Sequence, residues 1–518
     1  MSGMQIGRKK GNKMRTNKIV KNVFCGTAYK IISIIIKFVL RAVLIKGLGD
    51  ELVGLNTVIS DWMSMLNLAT LGIEIAIQYS LYRPVAESNI DDVARITRSA
   101  QIVYRKIGLI IFVAGLVLMP CVPLLIKDTL YSNRYIWGAY FLSLAGVSAS
   151  YLWCYKRIVI QAYEEVYIVN IIDMISEILF ISLEMFVVYR FRSLYLFMLV
   201  GSLKLICQHG ITSVLCDKRY GIKKQHERDR NEEKRMVSDL KDVAPLKIAN
   251  YIYGYTDNVI ISKFIGLASV TIYSNYMIIV NAVLGISTMV VNAVKATFGI
   301  QLNMQEKKEN AYEKLELYIF FQYLFASVAA LSFFVIADTF IELWVGKQYV
   351  LVNIVLYMIV IEMFMRMLYQ PLQMIFEATG RFKQDKWITL VTALINIVVS
   401  IILVHYVGMI GPIIGTMLTD IVIWFYRFRC VEIEFFEKNL CKSIKKWIVF
   451  VVVFSVEIIL LTILREILKN YISGILYMIV AEIVVVLICL GVNMGFFRKS
   501  KEYVYLKMTV YEYVKKRR

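Results

Sequence analysis

Three cations stand on one apolar run, Lys30, Lys37 and Arg41 within IVKNVFCGTAYKIISIIIKFVLRAVLIK (19–46). The run is long enough to cross a hydrocarbon core, which takes about 20 residues at about 1.5 Å each. Spacings of seven and four put the three side chains within roughly 40° of one another on a helix. Each would cost on the order of 3 kcal/mol facing lipid on insertion scales. The stripe is therefore expected to face a protein interior or a watery cavity, where it would receive an anionic group. The competing reading pairs the cations with carboxylates on neighbouring helices, and Arg41, near the end of the run, can snorkel.

Other runs carry polar residues at helical spacing. Asn56, Ser60, Asn67, Glu74 and Gln78 share one face of a second run, with Asp61 pointing away. Asn170, Asp173, Glu177 and Glu184 form an acidic stripe; Asn250 and Asp257 share a face further on, with Asn258 beside it. Asn281, Thr288, Asn292 and Lys295 line up, as do Glu362, Arg366, Gln370 and Gln373, in which Glu362 and Arg366 are an i, i+4 pair. Lys204, Gln208 and Asp420 complete the set. Such residues either bond across helices, at about 0.6 kcal/mol per contact, or contact a cargo. The acidic stripe would pair with the cations or bind a coupling cation.

The elements that must position these groups are membrane helices. The chain has 518 residues, 58% of them hydrophobic and 19% charged, a composition too apolar for a soluble fold. Apolar blocks recur at 19–46, 52–80, 102–126, 135–155, 165–189, 193–216, 244–265, 272–300, 315–341, 349–376, 387–407, 409–426, 447–464 and 472–497. They predict an all-α, polytopic membrane protein of about 14 transmembrane helices. The first block is longer than a signal-peptide core and no small-residue cleavage site follows, so it is expected to remain a span. With the N-terminus inside, 43 of the 59 Lys and Arg residues fall in inner segments, 8 in outer loops and 8 in spans. The bias predicts a multi-pass protein of the cytoplasmic membrane with both termini cytoplasmic. The net charge of +20 thus follows topology, and no nucleic-acid partner is expected.

The expected organisation is an N-lobe of six spans (1–216), a polar cytoplasmic linker (217–243), a C-lobe of six (244–430), spans 13 and 14 (431–497) and a basic cytoplasmic tail (498–518). The tail is expected on the inner membrane surface. LIKGLGDELVGLN (44–56) aligns with ISKFIGLASVTIY (261–273), matching Lys46 with Lys263 and Gly49 with Gly266. The match suggests two parallel halves, a recurring transporter plan. The eight cysteines form no CxxC and the three histidines are scattered, so no metal site is expected. There is no GxxxxGK[ST] loop and no extramembrane segment large enough for an enzyme domain.

Several segments carry a resemblance to a known family. GLNTVISDWMSMLNLATLGIEIAIQYSLYRPVAESNIDDVARI (54–96), LWCYKRIVIQAY (152–163) and YIYGYTDNVIISKFIGLASVTIYSNYMII (251–279) resemble bacterial polysaccharide-biosynthesis flippases (Wzx-type) of the multidrug/oligosaccharidyl-lipid/polysaccharide exporter superfamily. The resemblance covers nearly the whole chain and fits fourteen spans. It implies two six-helix lobes in a V around a central cationic cavity, plus two extra helices. It implies transport of an undecaprenyl-pyrophosphate-linked oligosaccharide by alternating access, with no catalytic residues and no cofactor beyond a coupling H+ or Na+. Partners would be the lipid-linked oligosaccharide, membrane lipids and polysaccharide polymerase machinery.

On that reading, charge and spacing assign Lys30, Lys37 and Arg41 to the pyrophosphate, helped by Lys295 and Lys204. Asn56, Asn67, Gln78, Asn281 and Asn292 would meet the sugars. Glu74, Glu177, Asp257, Glu362 and Arg366 would serve ion coupling or gating. Two alternatives compete: a cation-coupled multidrug antiporter of the same superfamily, which favours acids over cations in its cavity, and a membrane glycan polymerase or ligase, which would need a larger outer loop.

Overall fold

The computed structural model of the chain describes residues 2–66, 71–222, 229–303, 308–379 and 382–508, and each of the fourteen expected blocks falls mainly on helix among those residues. No strand occurs among the described residues, and eight helices there are long and apolar enough to cross a membrane. The protein has the all-α, polytopic fold expected. Two compact units divide it, Met1–Thr271 and Ile272–Arg518.

The first unit holds α1 (Ser2–Leu48), α2 (Asp50–Leu66), α3 (Leu71–Ala86), α4 (Ile90–Leu118) and α5 (Asn133–Ser150). It continues through α6 (Lys156–Ala162), α7 (Val166–Phe191), α8 (Leu194–Tyr220) and α9 (Arg230–Phe264). Helix α10 (Leu267–Asn303) begins in this unit and carries the chain into the second. There follow α11 (Lys308–Trp344), α12 (Asn353–Leu368), α13 (Gln370–Ala378), α14 (Phe382–Val407), α15 (Ile410–Arg429), α16 (Leu440–Tyr471) and α17 (Gly474–Phe497).

Local chemistry sets the helix ends. Asn89, Ser193, Asp229 and Asn439 cap α4, α8, α9 and α16, their side-chain oxygens accepting from backbone N–H groups of the first turn, groups that have no partner within the helix. The two glycines matched in the sequence hold equivalent turns: Gly49 (φ 80°) joins α1 to α2, and Gly266 (φ 132°) joins α9 to α10. Both conformations suit a residue without Cβ. Gly54 has a different reason. A Cβ there would lie 2.1 Å from the Leu267 carbonyl oxygen, so glycine lets α2 meet the start of α10 backbone to backbone.

Helix α17 shows how the membrane inverts the usual pattern. Its buried residues Tyr477, Ala481, Val485, Cys489 and Asn493 recur every fourth position. Ile475, Leu476, Ile479, Ile483, Leu487 and Leu490 face outward, a surface stable against acyl chains and not against water.

Two expectations about continuity are corrected. The segment 217–243 is largely not a free linker: from Arg230 onward it is the beginning of α9. Acids there tie α9 to the first unit, Glu232 accepting from Ser80 Oγ of α3 at 3.4 Å and Glu233 lying 3.6 Å from Lys106 of α4. The block 349–376 is two helices, broken at Tyr369. Pro371 has no N–H to give the Met367 carbonyl four residues back, and Gln322 Nε2 of α11 donates to that carbonyl instead, at 3.0 Å.

Beyond α15 the backbone forms a π-helical turn, Cys430–Phe435, that buries Glu432 outside the spanning blocks. Glu432 Oε2 accepts from Tyr312 Oη at 2.9 Å and Ser443 Oγ at 2.6 Å. Burial pushes its carboxyl above the ordinary 4.5, and these two donors only partly offset that. A raised folded-state value gives stability present below about 4.5 and lost as pH climbs through the folded value. Glu432→Gln should therefore match wild type at low pH and gain on it as pH rises, read from melting temperature in detergent across about pH 4 to 8. Parallel wild-type and variant curves would refute the assignment.

Candidate functional site

In the first unit the acidic stripe of α7 is a seam for cations from three other helices. Spacings of four and seven place Asp173, Glu177 and Glu184 on one face, and all three are buried. Asp173 accepts from both terminal guanidinium nitrogens of Arg157 of α6, Nη1 at 3.1 Å. Glu184 accepts from Lys204 Nζ of α8 at 3.1 Å. Glu177 accepts from Ser33 Oγ of α1 at 3.2 Å and lies 3.7 Å from Lys37 Nζ.

The three α1 cations do not share one environment, which corrects the single-stripe expectation. Arg41 is buried, donating from Nη1 to Thr57 Oγ1 at 3.3 Å and from Nη2 to the Thr271 carbonyl at 3.1 Å. It ties α1 to α2 and to α10, so snorkelling does not describe it. Lys30 is exposed and forms no ion pair among the described residues. The Lys37 side chain is 59% exposed, touching Glu177 only at long range. Lys30 is thus unpaired among the described residues and Lys37 pairs with α7 only from an exposed position, whereas Arg157 and Lys204 pair with α7 at closer range.

The remaining candidates of this unit are dispersed. Asn56 is half-buried on α2, and Glu74 and Gln78 are half-buried one turn apart on α3. Asn67 lies outside the described residues, so the face expected to run from Asn56 to Gln78 is seen only in two pieces. Asp257 is buried on α9. Its neighbour Asn258 donates to Asp61 Oδ2 at 2.7 Å, an α2–α9 bond that explains why Asp61 stands apart from the Asn56 face.

In the second unit, Asn281 and Asn292 are exposed on α10. Lys295, expected to help with an anion, lies 2.7 Å from Glu377 Oε2 of α13. From there one connected chain of contacts crosses the unit. Glu377 Oε1 accepts from Gln373 Nε2 at 3.0 Å, and Gln373 Oε1 accepts from Arg427 of α15 at 3.4 Å. Arg427 ends on Asp385 of α14, forked at 2.9 and 2.9 Å. Glu362 and Arg366 form the expected pair at 3.2 Å, with Glu362 buried.

Sequence reading missed the break that organises this unit. Gln370 Oε1 accepts from Ser287 Oγ at 2.6 Å and from Gln322 Nε2 at 3.3 Å, and the same amide serves Met367. Gln322 is fully buried. The signal available was Pro371 inside an apolar block. Gln322→Leu should cost about 1–3 kcal/mol, because it removes the side-chain donor to the buried Met367 carbonyl and to Ser287 and Gln370, which keep only their bond to each other. Thermal unfolding in detergent measures this, and an unchanged midpoint would show that the break is satisfied otherwise.

Comparison with known proteins agrees with this architecture. The profile of the family described as "Polysaccharide biosynthesis protein" matches residues 19–295. No curated protein sequence matches the chain. Among solved structures, the lipid II flippase MurJ in an inward closed conformation is similar with a TM-score of 0.72 at 12% identity, covering 92% of this chain and 99% of that one. An inward-facing multidrug resistance MATE transporter of the MOP superfamily is similar at TM-score 0.63 and 13% identity, covering 77% of this chain and 93% of that one. The eukaryotic MATE transporter AtDTX14 follows at 0.60 and 11%, covering 83% and 98%. At such identities the likeness is one of fold.

Proposed function

From the premise that this chain belongs to the polysaccharide biosynthesis protein family, we propose that it is a flippase for undecaprenyl-pyrophosphate-linked oligosaccharide repeat units. It moves them across the cytoplasmic membrane by alternating access, as a transporter and not as an enzyme. The observation that carries the reading is the pair Lys30 and Lys37. Two ammonium groups lie on a helix within an apolar run, one with no ion pair among the described residues and one exposed. A membrane protein retains such charge at a cost of about 3 kcal/mol each, and a diphosphate headgroup at the same depth would offset it.

Arg41 sits one turn beyond Lys37 and serves by fixing α1 against α2 and α10. Lys204 and Lys295 act through Glu184 and Glu377, which hold them in place. The exposed amides Asn281 and Asn292, with Asn56, Asn67 and Gln78, suit hydroxyl-rich sugars. A H+ or Na+ gradient supplies the driving force, with Glu74, Glu177, Asp257, Glu362 and Arg366 as coupling or gating residues.

The deciding experiment reconstitutes the full chain in liposomes with an undecaprenyl-pyrophosphate-linked glycan and follows its accessibility in each leaflet. Protein-dependent equilibration between leaflets is expected. The multidrug antiporter reading keeps one observation in its favour, the buried Asp61 held by an amide. Gradient-driven efflux of a cationic dye, with no glycan movement, would establish it over the flippase reading.

A further inference from the structure

The second unit buries a carboxyl that none of the sequence patterns singled out. Glu457 lies near the middle of α16 and is completely buried. Its Oε2 meets Ser327 Oγ of α11, and its Oε1 accepts from Asn493 Nδ2 of α17 at 2.6 Å. Three other buried acids of this unit are matched by arginine, Asp338 with Arg465, Asp385 with Arg427 and Glu362 with Arg366, while Asp420 accepts from Tyr369 and Glu432 from Tyr312 and Ser443. Among the described residues Glu457 forms no ion pair with lysine, arginine or histidine. The titratable groups that face it are Tyr323 of α11 and Cys489 of α17, neither of them cationic.

We propose that Glu457, Ser327 and Asn493 form a proton-binding site inside the second unit, where the carboxyl is carried as the neutral acid and exchanges its proton with solvent. An isolated carboxylate in an apolar interior neutralises itself in preference to remaining charged. The partners suit both protonation states. A serine hydroxyl donates to a carboxylate and accepts from a carboxylic acid. Asn493 is itself buried, and its Oδ1 has no hydrogen bond among the described residues, an acceptor open beside the acid. A sodium ion fits less well, since it seeks several oxygen ligands while the asparagine turns its amide nitrogen onto the carboxyl.

Further polar groups stand on α11 and α17. The buried Tyr323 hydroxyl shares a side-chain hydrogen bond with Asn493; Glu482 Oε2 of α17 is buried without a hydrogen bond among the described residues, and its other oxygen accepts from Ser332 Oγ at 2.8 Å. Ser327 and Ser332 are five residues apart, about 7.5 Å along the helix. The proposal concerns helices outside the α1 stripe and needs no particular cargo, so it can stand if the glycan reading falls.

Infrared difference spectroscopy on the full-length protein in lipid nanodiscs tests it without substrate. At neutral pH, wild type minus Glu457→Gln should show a protonated-carboxyl C=O stretch that moves to lower frequency after exchange into D2O. Ser327→Ala, which keeps the acid and removes one partner, should shift that band to higher frequency, and this variant guards against misfolding of the first. Absence of the band from the difference spectrum would show Glu457 ionised and overturn the proposal. A band that fails to respond to D2O would make the group a static interhelical bond, and so would overturn it too. Stabilisation by sodium over potassium that vanishes in Glu457→Gln would assign the site to a metal cation instead.

Discussion

Lys30→Ala with Lys37→Ala should abolish transport of the lipid-linked glycan while leaving the protein folded and at its normal level. A hydrogen bond to a charged group contributes about 1.5–3 kcal/mol, so losing two predicts a fall of about 100-fold or more in flipping rate or affinity. The cost to stability should be small. Lys30 forms no ion pair among the described residues, and the Lys37 side chain is 59% exposed at 3.7 Å from Glu177, a kind of pair that contributes at most about 1 kcal/mol. In cells, surface polysaccharide should disappear and repeat units accumulate in the inner leaflet. Lys37→Arg, which keeps charge and reach, should retain most activity. Normal export by the double alanine variant would remove the diphosphate from the picture. Normal export together with a lowered melting temperature would go further, making the two lysines structural.

Arg427→Leu should have the largest effect on stability. Asp385 and Arg427 are both buried and joined by two hydrogen bonds of 2.9 Å. Removing one partner leaves the other charge stranded, at about 3–5 kcal/mol. For a domain of this size each kcal/mol is about 2–4 °C, so the midpoint should fall by roughly 6–20 °C. Asp385→Asn with Arg427→Gln removes both charges, keeps hydrogen-bonding capacity and should recover most of the loss. The asymmetry between single and double variants is the diagnostic. If the double variant fell as far as the single one, the attraction itself, and not the stranded charge, would be what matters. Because Arg427 also reaches Gln373, and through it Glu377 and Lys295, the single variant should additionally loosen Lys295.

Composition and periodicity were enough for the class of protein and for the helices. Apolar blocks of spanning length determine helices in a solvent that cannot hydrogen-bond a backbone, and the expected blocks are helical where they are described, 349–376 as two helices. The two matched glycines marked equivalent turns because positive φ excludes most other residues, a constraint visible in one letter of sequence. Glu362 with Arg366 was legible for the same local reason, since four residues bring two side chains together on any helix. The acidic face of α7 was visible from spacing as well.

What spacing could not supply was the partner across the gap. Lys30, Lys37 and Arg41 share a direction on paper, yet Arg41 is buried against Thr57 and the Thr271 carbonyl while Lys30 is exposed. Helical spacing fixes the direction of a side chain relative to its own axis and says nothing of what stands opposite. Arg157 lies between two apolar blocks in the sequence, and only packing brings it to Asp173. Glu457 went unnoticed because a lone acid has no period; only the closing of α11 and α17 around it makes it a buried carboxyl. The sequence by itself determined which segments are helices and which of their faces are polar, because backbone satisfaction and side-chain period are local. Tertiary structure alone decided which charges are neutralised and which stay available, because that depends on pairs of residues far apart in the chain.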